Sequence, residues 1–151
     1  MSKDVQGTVA RPGSIKFTGV WLRELHFDGR EAEGSTANPV GAVIVKININ
    51  VADDSSQASV HLDVSVEPQD VGAFRTLQAV IEGVFVPVDE KGKKGLHEFA
   101  TRQGPSLVFP FAREIIANVT ARKPGGVVLL PPLNLYALVD AASETPATAK
   151  K

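Results

Sequence analysis

Three histidines are the first side chains of this sequence to consider for metal binding or acid–base catalysis. His26 and His61 lie in two separate alternating segments, and His97 follows a charged, glycine-bounded loop. Their spacing is not that of metal ligands, and no G-x-S-x-G nucleophile motif accompanies them. We therefore expect His26 and His61 to be solvent-facing strand residues, and we predict no catalytic or metal-binding residue.

Two polar runs are further candidates for chemistry. Asp53 and Asp54 could pair as carboxylates, but two serines follow them between two strand patterns, and that composition is typical of a turn. The run Gly92-Lys93-Lys94-Gly95 could suggest phosphate binding, yet it lacks the strand–loop–helix context and the Ser or Thr of a P-loop. The sequence therefore predicts a protein that is not an enzyme and that needs no cofactor.

The composition excludes several classes of partner. Lys and Arg number 16 and Asp and Glu number 17, which gives a net charge of −1, whereas nucleic-acid binding requires a concentrated basic face. No cysteine is present, so disulfides and thiolate metal sites are excluded. The segment from Met1 to Ala10 does not resemble a signal peptide, and no segment reaches the roughly 18 apolar residues of a membrane span. We expect a cytoplasmic protein with no nucleic-acid partner and no membrane insertion.

A half-buried strand is predicted for the segment from Ile15 to Asp28. Its apolar residues at positions 15, 17, 21, 25 and 27 fall on one face of an extended chain, and Trp21 is among them. The polar residues Glu24, His26 and Asp28 fall on the other face.

Three more strands follow in the pattern. The clearest alternation runs from Val43 to Val51, and a second runs from Val60 to Val66 after the DDSS turn, so the two are predicted to form a hairpin. A further strand runs from Phe74 to about Val88. Phe74 is out of phase with the apolar positions after it, which predicts a bulge there.

Beyond a charged loop at 89–95 the apolar period lengthens to that of helices. The segment from Ser106 to Lys123 is predicted to be a long helix with Pro105 in its first turn, and Pro110 predicts a kink or a helix start. Pro131 and Pro132 exclude regular structure from 127–132, and a short helix is predicted for 133–142. The result is an α+β domain at 14–142, with an antiparallel sheet followed by one long and one short helix, a flexible leader at 1–13 and a disordered tail at 143–151.

Two motifs in the second half of the chain resemble those of SecB protein-export chaperones. The run from Gly104 to Glu114 (GPSLVFPFARE) is similar to a conspicuous segment of that family, and the run from Val127 to Val139 (VVLLPPLNLYALV) is similar to its crossover loop and the start of its last helix. The resemblance implies a four-stranded Greek-key sheet with a long and a short helix, assembled as a dimer of dimers. It also implies an ATP-independent holdase that binds unfolded preproteins for Sec-dependent export.

The apolar loop between the two predicted helices is the first candidate site. It is extended by prolines and has almost only aliphatic side chains, whereas loops are normally polar. Either the loop packs on its own core or, as the resemblance implies, it forms one wall of a groove for clients. The client-binding residues predicted in the loop are Val128, Leu129, Leu130 and Leu133. Phe85, Val86, Leu96 and Phe99 are predicted to form the facing wall, with a place in the core as the alternative for each of these four.

A surface for binding SecA also follows from the resemblance. Glu24 and Asp28 match positions of SecB proteins that contact the translocase motor SecA, although an ordinary solvated face is the alternative, and Gln78 stands where an acid is expected. The tail ends in Lys150 and Lys151, which is basic where the family tail is not. A chaperone or binding module dedicated to one partner, such as an antitoxin, without SecA docking, is therefore the alternative function.

An oligomer interface is predicted on the long helix. Pro110 either makes the beginning of the helix irregular or bends it to shape a contact between subunits, and Arg113 and Glu114 either face solvent or pair across that contact. The residues predicted for this interface are Phe109, Phe111, Arg113 and Glu114.

Overall fold

In a computed structural model of the protein, residues 13–29, 40–69, 74–122 and 126–144 are described. Three helices follow a four-stranded antiparallel sheet, which confirms the predicted α+β class. The predicted leader up to residue 12 and the predicted tail beyond residue 144 lie outside the described residues. The elements are β1 (Ile15–Asp28), β2 (Val40–Val51), β3 (Ala58–Pro68), β4 (Thr76–Pro87), α1 (Glu90–Arg102), α2 (Gly104–Thr120) and α3 (Leu135–Glu144).

The strands lie in the order β1-β4-β3-β2, and all neighbours are antiparallel. Three consecutive strands pair in sequence and the first lies beside the last, which is the Greek key that the resemblance implied. The predicted β2–β3 hairpin is confirmed, and Asp54 Oδ1 accepts a hydrogen bond of 3.0 Å from the Ser56 amide in its turn. Hydrogen bonds from the side chain and backbone of Ser56 lower the pKa of the exposed Asp54 carboxyl. The DDSS run is therefore a turn, as predicted.

Strand β1 departs from the predicted single alternation because it contains two bulges. Its register against β4 shifts between Phe17 and Gly19 and again between Leu22 and Glu24, with one extra residue in β1 each time. A one-residue shift moves the following side chains to the other face of the sheet. Trp21 pairs with Glu82 and lies on the face opposite Phe17, so the prediction that the two share a face is wrong.

The bulge predicted near Phe74 is also wrong. Strand β4 begins only at Thr76, and its pairing with β3 runs without a shift from Ser65↔Gln78 to Ala58↔Phe85. Phe74 is buried two residues before the strand, outside the paired segment. It is out of phase because it precedes the pleated segment.

Helix α1 corrects the prediction of a charged loop at 89–95. Asp89 caps the helix, and its Oδ1 accepts a hydrogen bond of 2.7 Å from the Gly92 amide. Two glycines weaken the local helix signal, but Leu96 and Ala100 are fully buried against the sheet. Gly92 is required by packing, because a Cβ there would lie 2.1 Å from the Ser14 carbonyl oxygen. Tertiary contacts therefore decide the conformation of this segment.

Helix α2 begins at Gly104 and continues through Pro110 to Thr120, so a helix start at Pro110 is wrong, and it ends before the predicted Lys123. The Pro110 ring is exposed, while Phe109 and Ala112 on either side are buried and hold the helix on the sheet. Gly104 permits close packing, since a Cβ there would lie 2.7 Å from Val60 Cγ2.

The core lies between one face of the sheet and helices α1 and α2, which contact β3 and β4. The opposite face, called here the outer sheet face, carries Trp21, Gln78, Glu82 and the alternate residues of β3. Helix α3 occupies the predicted short-helix position, shifted two residues towards the C-terminus. In the described part of the chain, no helix has the length and apolar character needed to cross a membrane.

Candidate functional site

The crossover segment, residues 127–133, connects α2 to α3 without regular secondary structure, as predicted. Its side chains alternate: Val128 and Leu130 are 0% and 2% exposed, whereas Val127 and Leu129 are 39% and 66% exposed. A period of two is typical of an extended chain that lies flat on a surface. The segment therefore has one face in the core and one aliphatic face directed outward.

Two side chains of α2 bind the backbone of the crossover segment. The hydroxyl oxygen of the buried Thr120 accepts a hydrogen bond of 2.8 Å from the Val128 amide, and the same hydroxyl donates to the Ile116 carbonyl over 2.7 Å. Arg113 Nε donates to the Leu130 carbonyl over 3.1 Å. Arg113 thus contacts its own chain, a role that differs from the two considered from sequence, which were exposure to solvent and pairing across a subunit contact. The role of Thr120 was not predicted, because an isolated threonine gives no sequence pattern.

An open groove of about 350 Å³ lies beside the exposed face of the crossover segment. Leu129, Pro131 and Leu133 form one wall, and the first residues of the edge strand β2 form the other. Its side chains are aliphatic throughout: Val40, Val43, Leu129, Pro131 and Leu133, with Gly41 between them.

The structure brings only part of the predicted client-binding set to this groove. Leu129 and Leu133 line it, whereas Val128 and Leu130 support the same segment from the core side. The burial of Val128 and Leu130 agrees with the alternative in which the loop packs on its own core. The exposure of Leu129 agrees with the alternative in which the loop forms one wall of a groove.

The other four predicted residues lie elsewhere. Phe85 and Leu96 are fully buried, and the Phe85 ring contacts Phe99 edge-on at a centroid distance of 5.7 Å. Phe99 also lines a second depression of about 390 Å³ between the start of β1 and helix α1, which shares no lining residue with the groove. Val86 follows Phe85 in the strand and therefore points to the outer sheet face. These residues do not form a facing wall for Leu129.

The outer sheet face holds Glu24 and Asp28 on the edge strand β1. Glu24 and Asp63 both lie opposite Val80, so they share one row of the sheet with β4 between them. Gln78 Nε2 donates to Asp63 Oδ1 over 2.8 Å. The amide that replaces the expected acid therefore stabilises a neighbouring carboxylate and does not add a negative charge.

A cationic side chain further reduces the acidity of this face. Arg23, at the second bulge of β1, forms an ion pair with Glu82, and His61 Nε2 lies 3.7 Å from the same carboxylate. A bulge redirects the side chains of the bulged strand, which explains why sequence alternation did not reveal the Arg23–Glu82 pair. Among the described residues, no group of three His, Asp or Glu side chains forms a metal site.

The residues predicted for an oligomer interface are distributed over α2. Phe109 is buried, Phe111 packs edge-on against Phe17 at 5.8 Å, and Arg113 and Glu114 are exposed. Three other exposed apolar side chains do not belong to the predicted interface. Leu107 on α2 is exposed, and so are Leu22 and Leu25 on the helix-facing side of β1.

Comparisons with known proteins agree with this architecture. The family described as preprotein translocase subunit SecB matches residues 9–145. The protein-export protein SecB of Rhodopseudomonas palustris is 32% identical over 130 residues, which cover 83% of this chain and 77% of the relative. That of Roseobacter denitrificans is 28% identical over 127 residues, 80% of this chain and 73% of the relative.

A solved structure shares the fold at low sequence identity. It is a SecB-like chaperone of Mycobacterium tuberculosis in complex with a ChAD peptide from an antitoxin, with a TM-score of 0.64 and 16% identity. The match covers 80% of this chain and 91% of that chain. At this identity the likeness concerns the fold alone.

Proposed function

Since the chain belongs to the SecB family, whose members are non-enzymatic chaperones of protein export, we propose that it is an ATP-independent holdase that binds unfolded preproteins beside Leu129. The observation that carries this proposal is the 66% exposure of Leu129 on a segment anchored by its neighbours. Holding precursors before export places the proposed activity in the cytoplasm.

Physical requirements of a holdase support the groove as the binding site. Unfolded clients share exposed apolar side chains and extended backbone but no fixed shape, so the site must be apolar and tolerant of sequence. The side chains that line the groove are aliphatic, and main-chain polar groups are exposed beside them, as an extended client requires. The crossover wall of the groove is stiffened by Pro131 and Pro132, which lowers the entropy lost when a client binds.

The test is Leu129→Ser, compared with Val88→Ser as a matched control. Val88 is an aliphatic residue of similar exposure, 59%, that does not line the groove. Burial of a leucine side chain contributes about 1.5–3 kcal/mol, so Leu129→Ser is expected to weaken client affinity about tenfold or more. The measurement is how well each variant, without nucleotide, suppresses the aggregation of a polypeptide that is diluted from denaturant. Equal suppression by both variants would contradict the groove assignment.

A second candidate function is a chaperone dedicated to one partner. It is favoured by the outer sheet face, where Gln78 and the Arg23–Glu82 pair reduce the acidity that SecA docking would use. The related fold that was solved with an antitoxin peptide makes an antitoxin segment a suitable probe. Binding of one such peptide together with failure to protect unrelated unfolded polypeptides would favour the dedicated function.

We further propose that Glu24 and Asp28 contact SecA and that the chain forms a dimer of dimers. Both carboxylates lie on the outer face of the edge strand β1. The exposed Leu22, Leu25 and Leu107 supply apolar surface for subunit contacts, alongside the α2 residues named above. Glu24→Gln with Asp28→Asn is expected to weaken SecA binding in a pull-down; unchanged binding would assign SecA docking elsewhere.

A further inference from the structure

We propose that Trp21 is the apolar anchor of a docking surface formed by Trp21, Glu24 and Asp28, and that this surface binds a basic, extended segment of a partner protein. The inference rests on the proposed contact of Glu24 and Asp28 with SecA and deepens it. It adds an aromatic side chain to the acidic pair as a determinant of affinity, and it names the chemistry of the segment that binds.

Both bulges of β1 are needed to bring Trp21 and the acidic residues together on the outer sheet face. The first bulge moves Trp21 to the face opposite Phe17, where it pairs with Glu82. The second bulge, just before Glu24, moves that residue to the same face as Trp21. Without it, residues three apart in a strand would point to opposite faces. The two bulges therefore place Trp21, Glu24 and Asp28 in one line along the edge strand.

The spacing along this line suits an extended chain. Trp21 and Glu24 lie opposite residues of β4 that are two positions apart, so they are separated by one pleat repeat, about 7 Å. Asp28 lies opposite a residue four positions further along β4, which places it about 20 Å from Trp21. An extended segment of about seven residues would cover this distance.

The indole of Trp21 rests on the main chain of its own strand. Gly19 precedes it on the same face, and a Cβ at Gly19 would lie 3.0 Å from Cη2 of the ring. Glycine therefore leaves the space that the six-membered ring occupies, while 48% of Trp21 remains exposed. Tryptophan is enriched among the residues that dominate binding energy at protein interfaces, because it buries a large area with few rotatable bonds.

Charge complementarity indicates a basic occupant. Asp63 lies in the same row of the sheet as Glu24, and Asp28 follows on the edge strand. Arg23, the cation at the second bulge, is already paired with Glu82. A lysine or arginine of the partner that lies over the indole would be attracted by the face of the ring and by the carboxylate of Glu24 one pleat repeat away.

The first experiment compares the SecA affinity of the full-length protein with that of Trp21→Ala and Trp21→Phe. We expect Trp21→Ala to bind about tenfold more weakly, and Trp21→Phe to lose less because phenylalanine keeps a ring. Trp21→Ala removes no charge, so its affinity should fall with salt as steeply as that of the wild type. Glu24→Gln with Asp28→Asn should make the salt dependence shallower. Leu129→Ser, which changes an exposed apolar side chain at the groove, is the control and should bind SecA normally.

Two results would overturn the inference. The first is SecA binding by Trp21→Ala that equals the wild type while the double acidic variant binds weakly, because the carboxylates would then act without the indole. The second is a smaller mass of Trp21→Ala in light scattering, which would make the indole a contact between subunits. Circular dichroism during denaturant unfolding checks that Trp21→Ala is folded, as expected for a change at an exposed side chain.

A peptide probe separates this inference from the assignment of SecA. Trp21 is the single tryptophan of the chain, so its fluorescence reports this position directly. A tryptophan-free heptapeptide of alternating arginine and alanine is expected to protect Trp21 from quenching by acrylamide at low salt, and the same peptide with glutamate in place of arginine is not. If SecA does not bind the wild type but the basic peptide protects Trp21, the docking surface stands and SecA is not its partner. If neither binds, both proposals are wrong.

Discussion

The guanidinium of Arg23 forms an ion pair with the carboxylate of Glu82 across two neighbouring strands of the outer sheet face. The Glu82 side chain is only 10% exposed, while that of Arg23 is about half exposed. A buried carboxylate without a partner is strongly unfavourable, and Arg23 supplies Glu82 with a cationic partner within the sheet.

Arg23→Met is therefore expected to lower the free energy of unfolding by about 1–3 kcal/mol, because Glu82 loses its charged partner. Adding Glu82→Gln should recover most of the loss, since the remaining side chain is neutral. Denaturant unfolding followed by the fluorescence of Trp21, the single tryptophan, measures both variants. Equal stability of Arg23→Met and wild type would show that the pair contributes nothing.

Gly92→Ala is expected to be destabilising although alanine has the higher helix propensity. Its Cβ would lie 2.1 Å from the Ser14 carbonyl oxygen, so β1 and α1 would have to separate. Gly95→Ala is the matched control in the same helix, because no atom lies within 4 Å of its Cβ, and it should stabilise by up to about 1 kcal/mol. Thermal unfolding of both variants tests the contact; a stabilising Gly92→Ala would contradict it.

Gln78→Glu is expected to lower the free energy of unfolding relative to the wild type by an amount that depends on pH. The new carboxylate would replace an amide that donates to Asp63 over 2.8 Å, and two adjacent carboxylates raise each other's pKa. A carboxyl whose pKa is raised by folding destabilises the fold above that pKa and ceases to do so when it is protonated. The variant should therefore be less stable than wild type at pH 7, and the difference should shrink towards pH 4. Gln78→Met, which loses the hydrogen bond without adding charge, should show no such trend.

Leu25→Asp is expected to reduce the size of the assembly. Leu25 is exposed on the helix-facing side of the edge strand β1, beside Leu22, where apolar surface would be covered by another subunit. Light scattering should give about four times 16.0 kDa for the wild type and a smaller mass for Leu25→Asp. Val88→Asp, at a more exposed site after β4, is the control and should assemble normally. A wild-type monomer would overturn the predicted dimer of dimers.

Local pattern alone was sufficient for much of this protein. The alternation in β2 and β3 predicted both strands and their hairpin, since a period of two with one buried face leaves a single register. The consecutive Pro131 and Pro132 excluded regular structure from the crossover segment, because proline lacks an amide donor. The motifs around Phe109 and Leu130 indicated the family, and the family match confirmed it.

Tertiary structure decided what local pattern could not. The bulges of β1 depend on the pairing with β4, and they alone move Trp21 to the outer face and bring Arg23 to Glu82. Helix α1 exists because Gly92 fits against Ser14 and Leu96 is buried, which outweighs the weak helix propensity of two glycines. In the crossover segment every side chain at 127–130 is apolar, so hydrophobicity could not rank them. The packing of the segment on the core decided that Val128 and Leu130 are buried and Val127 and Leu129 are exposed, and hydrogen bonds from Val128 to Thr120 and from Arg113 to Leu130 hold the segment against α2.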